Sequence, residues 1–183
     1  MVQPMRVTAD DGVASAKILA TARLAGLQVE LAKGQARTPS GIPIPELHLP
    51  SGSSVKHTNA ILRHLAQVTE AGLMGRTFAE EAQVDSWLEW SMLEVDHTVL
   101  DGEDAPMGPI CEVLEAHLKS RTFLVGQRLT IADIAAACSL RKPLEAKGLE
   151  EERQKFPGLV RWLLTIVHHM ADAPAAPAPP KAA

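Results

Sequence analysis

The sequence contains little cysteine and no long apolar run. Its two cysteines, Cys111 and Cys138, lie far apart among apolar residues, which favours two buried thiols over a disulfide framework or a zinc site. No run of about eighteen apolar residues occurs, so a membrane-spanning helix is not predicted. Residues 1–6 lack the basic-then-apolar order of a signal peptide. We therefore expect a cytoplasmic protein in a reducing compartment.

The sequence also has no excess of positive charge. Its formal net charge is -4 and its pI is near 6.0, so no general basic surface for nucleic acid is predicted. A tRNA partner would have to be held by another module. Hydrophobic residues make up 46% and charged residues 22% of the 183 residues, which excludes wholesale disorder and indicates a globular protein with a substantial core.

The most informative stretch covers residues 121–134 and reads RTFLVGQRLTIADI. Within it, Thr130 precedes Asp133 by three positions. This spacing is typical of a helix capping box, in which the acidic side chain reaches back to the backbone N–H of the cap residue. Residues 134–140 are almost entirely apolar. Because a helix that is apolar all round belongs inside a domain, we predict a buried central helix that begins at this cap.

The first third of the chain has the pattern of a small α/β unit. Residues 27–31 alternate apolar and polar side chains with the period of a half-buried strand. Frequent glycine and proline between residues 33 and 44 predict a loop rather than a helix. Thr58 is the predicted N-cap of a helix whose inward residues are Ile61, Leu62, Leu65 and Val68. The predicted order is strand 5–8, helix 14–25, strand 27–31, loop 33–44, hairpin 44–56 and the helix from Thr58.

The following residues, up to 172, are predicted to be helical. Apolar spacing of i, i+3, i+4 and i+7 indicates a long amphipathic helix over residues 78–100, with Trp90 and Leu93 as a second apolar line. Further helices are predicted over residues 110–119 and 159–170, with Val113 and Leu164 among their inward residues. Residues 173–183 contain only alanine, proline and one lysine, which is typical of a linker. The predicted division is 1–72, 76–172 and the linker 173–183.

Three stretches together resemble the glutathione-transferase family. Residues 44–47 read IPEL and are similar to the family's Val-Pro-x-Leu, in which the proline is cis. Residues 57–61 read HTNAI and stand where the family has Glu-Ser-x-Ala-Ile, and residues 129–133, LTIAD, are similar to its helix-capping motif. The resemblance implies an α+β, glutathione-transferase-like fold. In that fold, a small thioredoxin-like βαβ-ββα subdomain is followed by an all-helical subdomain.

Longer stretches resemble domains of this fold that belong to the translation apparatus. Residues 118–134 and 156–162 resemble the gamma subunit of eukaryotic elongation factor one. Residues 59–91 are similar to the N-terminal appendage of cytosolic glutamyl-tRNA synthetase, and residues 138–144 to the tRNA-binding scaffold proteins that hold synthetases together. The resemblance to these translation proteins implies a non-catalytic domain that assembles aminoacyl-tRNA synthetases and tRNA-binding factors into a complex. A gamma-type subunit of elongation factor one is the alternative.

The residues that would bind glutathione are largely missing. The family stabilises the glutathione thiolate with a hydroxyl or thiol near the first strand. This chain has no tyrosine. The candidate hydroxyl nearest to the first strand belongs to Ser15, and a serine at the start of a helix usually caps that helix. In the motif for the γ-glutamyl group, His57 replaces the acidic residue and Thr58 replaces serine. The site of Pro45, His57 and Thr58 is therefore degenerate, and we expect neither catalysis nor a cofactor. An active transferase or peroxidase that uses Ser15 or Thr58 is the alternative.

The resemblance also implies two surfaces for partner proteins. The first would use Arg63, His64 and Gln67, and the second would use Lys142, Arg161, Thr165 and His168. Arg161 is the leading candidate, because a guanidinium group binds carboxylates in a bidentate geometry. A solvated charge, or an ion pair with Glu145 or Glu150 of the same chain, is the alternative.

The expected partners are proteins of the same fold. They are the glutathione-transferase-like domains of glutamyl- and methionyl-tRNA synthetases or a synthetase scaffold protein, and a homodimer is a further option. No metal site is predicted. The adjacent His168 and His169 would point to different sides of a helix, and no acidic residue or thiol lies at ligand spacing from them.

Overall fold

The computed structural model describes residues 5–10, 12–100, 102 and 106–173. These residues form two compact units. The described part of Met1–Ala71, together with Ala173, is the first unit, and the described part of Gly72–Asp172 is the second. Apart from Ala173, the predicted linker lies outside the described residues.

The first unit is a mixed four-stranded sheet with two helices. Strands β1 (Met5–Ala9) and β2 (Val29–Lys33) pair in parallel, and helix α1 (Val13–Leu24) lies between them in sequence. Strand β5 (Glu46–His48) pairs antiparallel with β1, and β6 (Ser54–Lys56) pairs antiparallel with β5. The order of strands in the sheet is therefore β2-β1-β5-β6. The predicted βαβ-ββα order is therefore confirmed. The elements are β1 (Met5–Ala9), α1 (Val13–Leu24), β2 (Val29–Lys33), β3 (Ala36–Arg37), β4 (Pro43–Ile44), β5 (Glu46–His48), β6 (Ser54–Lys56) and α2 (Thr58–Gln67).

The core of this unit lies on one face of the sheet. Val7 and Leu47 are paired across β1 and β5, and both are fully buried. Because side chains alternate along a strand, their neighbours point to the opposite face. The predicted inward residues Ile61, Leu62 and Leu65 of α2 are also fully buried. Val68 is not: it follows the last helical residue and is 49% exposed, so its prediction is wrong.

Three local predictions in this unit are corrected. Residues 33–44 are not a plain loop, because β3 and β4 pair as an antiparallel hairpin. The described residues contain no cis peptide bond, so Pro45 is trans, the form that an X–Pro bond favours by about 0.5–1 kcal/mol. The N-cap of α2 is His57 rather than Thr58, since Thr58 is already the first helical residue.

The second unit is helical throughout. The structure interrupts the predicted 78–100 helix with a π-helical segment, Ser91–Asp96. The wider turns of this segment rotate the residues that follow Trp90. Leu93 is therefore 64% exposed and does not form the predicted second apolar line. The other elements are α3 (Phe78–Trp90), α4 (His97–Leu100), α5 (Gly108–Leu118), α6 (Ile131–Lys147), α7 (Leu149–Lys155) and α8 (Pro157–Asp172).

Helix α6 is the centre of the second unit, as predicted. Residues 131–137 are all at most 1% exposed, and α6 packs against α3, the π-helical segment, α7 and α8. The Ser139 hydroxyl donates to Asp96 Oδ1 at 2.5 Å, which fixes the end of the π-helical segment to α6. Helix α6 continues through Pro143, although proline leaves the Ser139 carbonyl without its usual helical donor.

The start of α6 depends on the buried carboxylate of Asp133. Its Oδ2 accepts the backbone N–H and the hydroxyl of Thr130, both at 3.0 Å. Its Oδ1 accepts the Leu124 N–H at 2.8 Å and the indole N–H of Trp162 at 2.9 Å. Burial raises the pKa of Asp133, while these four hydrogen bonds act in the opposite direction. One side chain thus joins the preceding loop, the cap and α8.

Two predicted inward residues on the outer helices are exposed. Val113 of α5 is 47% exposed and Leu164 of α8 is 37% exposed. In α8, the buried residues are Val160, Trp162, Leu163 and Ile166, so the inward face is centred away from Leu164. None of the helices in the described ranges is both long and apolar enough to cross a bilayer.

We predict that Asp133→Asn destabilises the protein by about 3 kcal/mol or more, because an amide cannot accept all four hydrogen bonds and leaves buried donors unpaired. Urea unfolding followed by tryptophan fluorescence measures the change. Asp172→Asn is the control, since its side chain is 64% exposed at the end of α8. A loss below about 1 kcal/mol for Asp133→Asn would contradict the central role of this carboxylate.

Candidate functional site

The first candidate is the region of the first unit that resembles a glutathione site. Ser15 is the third residue of α1 and only 4% exposed, and its hydroxyl donates to the Asp10 carbonyl. A hydroxyl that is buried and donates to the backbone cannot also donate to a thiolate. Ser15 is therefore part of the turn that starts α1.

The degenerate motif itself is held together by the backbone. The His57 N–H donates to the Pro45 carbonyl at 3.2 Å, and the Ile61 N–H donates to the His57 carbonyl at 3.0 Å. His57 has a φ of 70°, which costs a residue with a side chain about 1–3 kcal/mol. Its ring is exposed and Thr58 is half-buried. The structure thus brings Pro45, His57 and Thr58 together, but none of the three supplies a carboxylate.

The segment between β2 and β5 forms an ordered hairpin. The Thr38 hydroxyl oxygen accepts the Ile42 N–H at 3.0 Å, and Arg37 Nη1 donates to the Gly41 carbonyl at 2.7 Å. Gly41 has a φ of 85°, which glycine adopts without strain. This segment contains no helix that could supply further contacts to a ligand.

The sheet face opposite the core is polar. Thr8 Oγ1 lies 3.2 Å from His48 Nε2 across β1 and β5. Glu46 accepts a hydrogen bond of 2.6 Å from the Ser54 hydroxyl and lies 3.7 Å from the Lys56 ammonium. The Ser54 hydroxyl is the main cause that lowers the pKa of Glu46 below its usual value, and Lys56 adds to it. Such a face is suited to contact with water.

The described cysteines and metal-binding residue types do not form a reactive site. Burial raises the pKa of the Cys111 thiol to about 11, so it stays protonated at neutral pH. Cys138 is half-buried, with its Sγ 4.0 Å from Met170 Sδ. In the part of the chain that the structure describes, no three His, Cys, Asp or Glu side chains gather as metal ligands would.

The first predicted partner surface lies on α2. Arg63 and His64 are half-buried and Gln67 is exposed, and their spacing places them on the side of α2 away from Leu62 and Leu65.

The second predicted surface is only partly assembled. Arg161, Thr165 and His168 line one hollow of about 520 Å³ on α8, which also contains Arg153, Pro157 and Leu164. His168 Nε2 lies 3.0 Å from Asp172 Oδ2 in the same helix, so the expectation that no acidic residue lies at ligand spacing from the histidine pair is wrong. Lys142 does not belong to this hollow, because it lines a different one beside α4.

Arg161 has a role that sequence reasoning missed. Its Nη2 donates to the carbonyl of Leu118, the last residue of α5, at 2.7 Å and to the carbonyl of Arg121, just after the helix, at 2.9 Å. The predicted pairing with Glu145 or Glu150 is wrong, because those carboxylates pair with Arg141 and Arg153.

A second bond makes this capping reciprocal. Glu115 of α5 accepts the Leu159 N–H at 2.9 Å at the start of α8. A carboxylate on α5 thus caps α8, while a guanidinium on α8 caps α5, which matches the charges of the two helix dipoles. The residues lie more than forty positions apart, so no local pattern signals the pair.

Comparisons with known proteins agree with this architecture. The family model described as "Glutathione S-transferase, C-terminal domain" matches residues 91–169. A glutathione transferase from Bombyx mori superimposes with a TM-score of 0.78 at 17% identity, covering 94% of this chain and 91% of that one. A glutathione S-transferase-like protein from Fusarium, LUC7, is 31% identical over an alignment 181 positions long, which covers 82% of this chain and 82% of the relative. The chain therefore belongs to the glutathione S-transferase-like family.

Other relatives of the chain are named elongation factor 1-gamma. Elongation factor 1-gamma of Trypanosoma cruzi is 40% identical over an alignment 130 positions long, which covers 62% of this chain and 32% of the relative. A probable elongation factor 1-gamma of Arabidopsis thaliana is 28% identical over 143 residues, covering 68% and 34%. The chain thus spans about a third of the length of the elongation factor 1-gamma proteins that it matches.

We predict that Arg161→Ala lowers the free energy of unfolding by about 1–2 kcal/mol, because two carbonyls lose a charged donor. Chemical denaturation measures the loss. Arg141→Ala is the control, since Arg141 pairs only with Glu145 on the same exposed helix face and should cost less than about 0.5 kcal/mol. Equal stability of the two variants would show that the capping bonds of Arg161 contribute nothing.

Proposed function

We propose that this chain is a non-catalytic, glutathione-transferase-like domain of the elongation factor 1-gamma type, which serves cytosolic translation by binding other proteins. The observation that carries the proposal is the 40% identity to elongation factor 1-gamma of Trypanosoma cruzi. The state of the glutathione site supports it. The hydroxyl of Ser15 donates to the backbone, and the motif at His57 lacks its carboxylate.

Assembly of aminoacyl-tRNA synthetases is the second candidate function. It rests on the similarity of residues 59–91 to the appendage of glutamyl-tRNA synthetase. In this case the partners are the glutathione-transferase-like domains of glutamyl- and methionyl-tRNA synthetases or a scaffold protein, and tRNA is held by another module. The similarity to elongation factor 1-gamma favours the first candidate.

The α8 hollow is the preferred docking surface in both cases. It combines the cations Arg153 and Arg161 with the partly exposed Leu164. A guanidinium next to an apolar contact is a composition that is enriched in interfaces. Residues Arg63, His64 and Gln67 on α2 would form the other surface, which would also serve a homodimer.

We predict no retention on immobilised glutathione and no thiol conjugation of an aromatic chloride above the rate without protein. The reason is that, in the part of the chain that the structure describes, no exposed hydroxyl or thiolate lies where the family needs one. A transferase of the family is the positive control. Retention together with turnover that is lost in Ser15→Ala or Thr58→Ala would refute the non-catalytic proposal.

We predict that the tagged protein captures other subunits of the elongation factor one complex, and that Leu164→Asp and His168→Glu each weaken capture about tenfold. Leu93→Asp is the matched control, because Leu93 is 64% exposed on the π-helical segment rather than on α8. Purified synthetase domains form the second arm. Capture of these domains alone would favour the second candidate, and capture of neither group by the folded protein would contradict both.

A further inference from the structure

The hairpin of the first unit carries an exposed serine at its tip. Ser40 lies in the turn between β3 and β4, and its neighbours Pro39 and Gly41 are exposed as well. The Ser40 hydroxyl lies 2.8 Å from the hydroxyl of Thr38, and either group can donate. Because exposed loop tips are the parts of a fold that another protein reaches most easily, this hydroxyl is open to an enzyme that modifies proteins.

An arginine stands three residues before this serine. Residues 37–41 read RTPSG, and Arg37 is exposed. Protein kinases select their substrates largely by the pattern of charges around the acceptor hydroxyl. One large class of kinases requires an arginine at this distance before the acceptor. The spacing of Arg37 and Ser40 therefore fits the substrate pattern of that class.

A second turn of the first unit provides an internal contrast. Residues 50–52 repeat the Pro-Ser-Gly order of residues 39–41, and Ser51 is exposed like Ser40. The glycines of the two turns have similar positive φ angles, 87° and 85°. The residue three positions before Ser51 is His48 rather than an arginine. The two serines thus share their local sequence and exposure and differ in the position that this class of kinase recognises.

The hairpin can open without disturbing the main sheet. Among the described residues, β3 and β4 form a two-stranded sheet of their own, with two residue pairs. One of these pairs contains Pro43, which has no N–H to donate. A hairpin that pairs with no further strand is only marginally stable. A kinase that binds its substrate in an extended conformation can therefore take up the tip at a low cost in free energy.

The same arginine can also bind the product. Arg37 Nη1 donates to the carbonyl of Gly41 at 2.7 Å, so the guanidinium group lies beside the residue that follows Ser40. A phosphate ester carries a charge of about -1.5 to -2 at neutral pH, and guanidinium binds it in a bidentate geometry. A phosphate on Ser40 would thus offer Arg37 a charged acceptor in place of a neutral carbonyl.

We propose that Ser40 is a phosphorylation site for a protein kinase that recognises Arg37. Ser40 Oγ attacks the γ-phosphorus of ATP. The bond between Oγ and phosphorus forms while the bond from that phosphorus to the oxygen of the β-phosphate breaks. The hydroxyl proton passes to the catalytic carboxylate of the kinase, and ADP leaves. The site lies apart from the partner surfaces on α2 and α8 and goes beyond the proposed function.

The test treats the whole protein with ATP and calmodulin-dependent protein kinase II, which selects an arginine three residues before the acceptor. Mass spectrometry of peptides measures how fast phosphate appears on each serine. We expect Ser40 to be modified at least about tenfold faster than Ser51. Equal rates at the two serines, or an unmodified Ser40, would overturn the proposal.

Two variants separate the acceptor from the residue that the kinase recognises. Ser40→Ala is expected to leave this turn without phosphate, so transfer of the phosphate to Thr38 at an unchanged rate would contradict the choice of acceptor. Arg37→Ala is expected to lower kcat/KM for Ser40 at least about tenfold, because the kinase loses a charged contact.

The matched control for Arg37→Ala is Lys33→Ala. Lys33 is an exposed cation that lines the same hollow as Arg37 but lies outside the recognised position. Its substitution is expected to leave the rate at Ser40 unchanged within about twofold. Amide NMR spectra verify that each variant is folded. A folded Arg37→Ala protein that is phosphorylated as fast as the Lys33→Ala protein would refute the role of Arg37.

Discussion

The second unit depends on one buried carboxylate. Burial of Asp133 is unfavourable for its charged form, and four donors from three segments compensate for that cost. The Leu124 residue that donates one of these bonds is itself held, since its carbonyl lies 2.9 Å from His117 Nε2 on α5. The loop before α6, the start of α6 and the middle of α8 therefore cannot move independently. The alanine-rich helix α6 can occupy the centre of the second unit because the hydrogen bonds of Asp133 hold its neighbours in place around its start.

Several hydroxyl and guanidinium groups of this chain form hydrogen bonds with backbone carbonyls. Ser15 donates to the Asp10 carbonyl, Thr165 donates to the Arg161 carbonyl at 2.9 Å, and Arg161 caps the last turn of α5. Each of these bonds stabilises a turn or a helix end, and each reduces what the group can offer to a ligand. In this chain, hydroxyl and guanidinium groups therefore contribute to the stability of turns and helix ends.

The sequence predicts those features whose cause is local. Thr130 and Asp133 are three residues apart, so the cap of α6 can be predicted from the sequence. The apolar residues that follow the cap predict a buried helix. The other two ligands of the same carboxylate, Leu124 and Trp162, come from the tertiary fold and have no local signal. The π-helical segment is unpredictable for the same reason, because its partner on α6, Ser139, lies 43 positions from Asp96.

The open face of the sheet has a consequence for any attempt to rebuild a transferase from this chain. A helix placed over that face would cover the exposed Lys56 and the partly buried Glu46, whose carboxylate lies 3.7 Å from the Lys56 ammonium. Removing such charges from water costs several kcal/mol for each group that is not fully paired. A catalytic hydroxyl introduced alone would leave these charges in place, so a helix over this face would also require the exchange of Glu46 and Lys56.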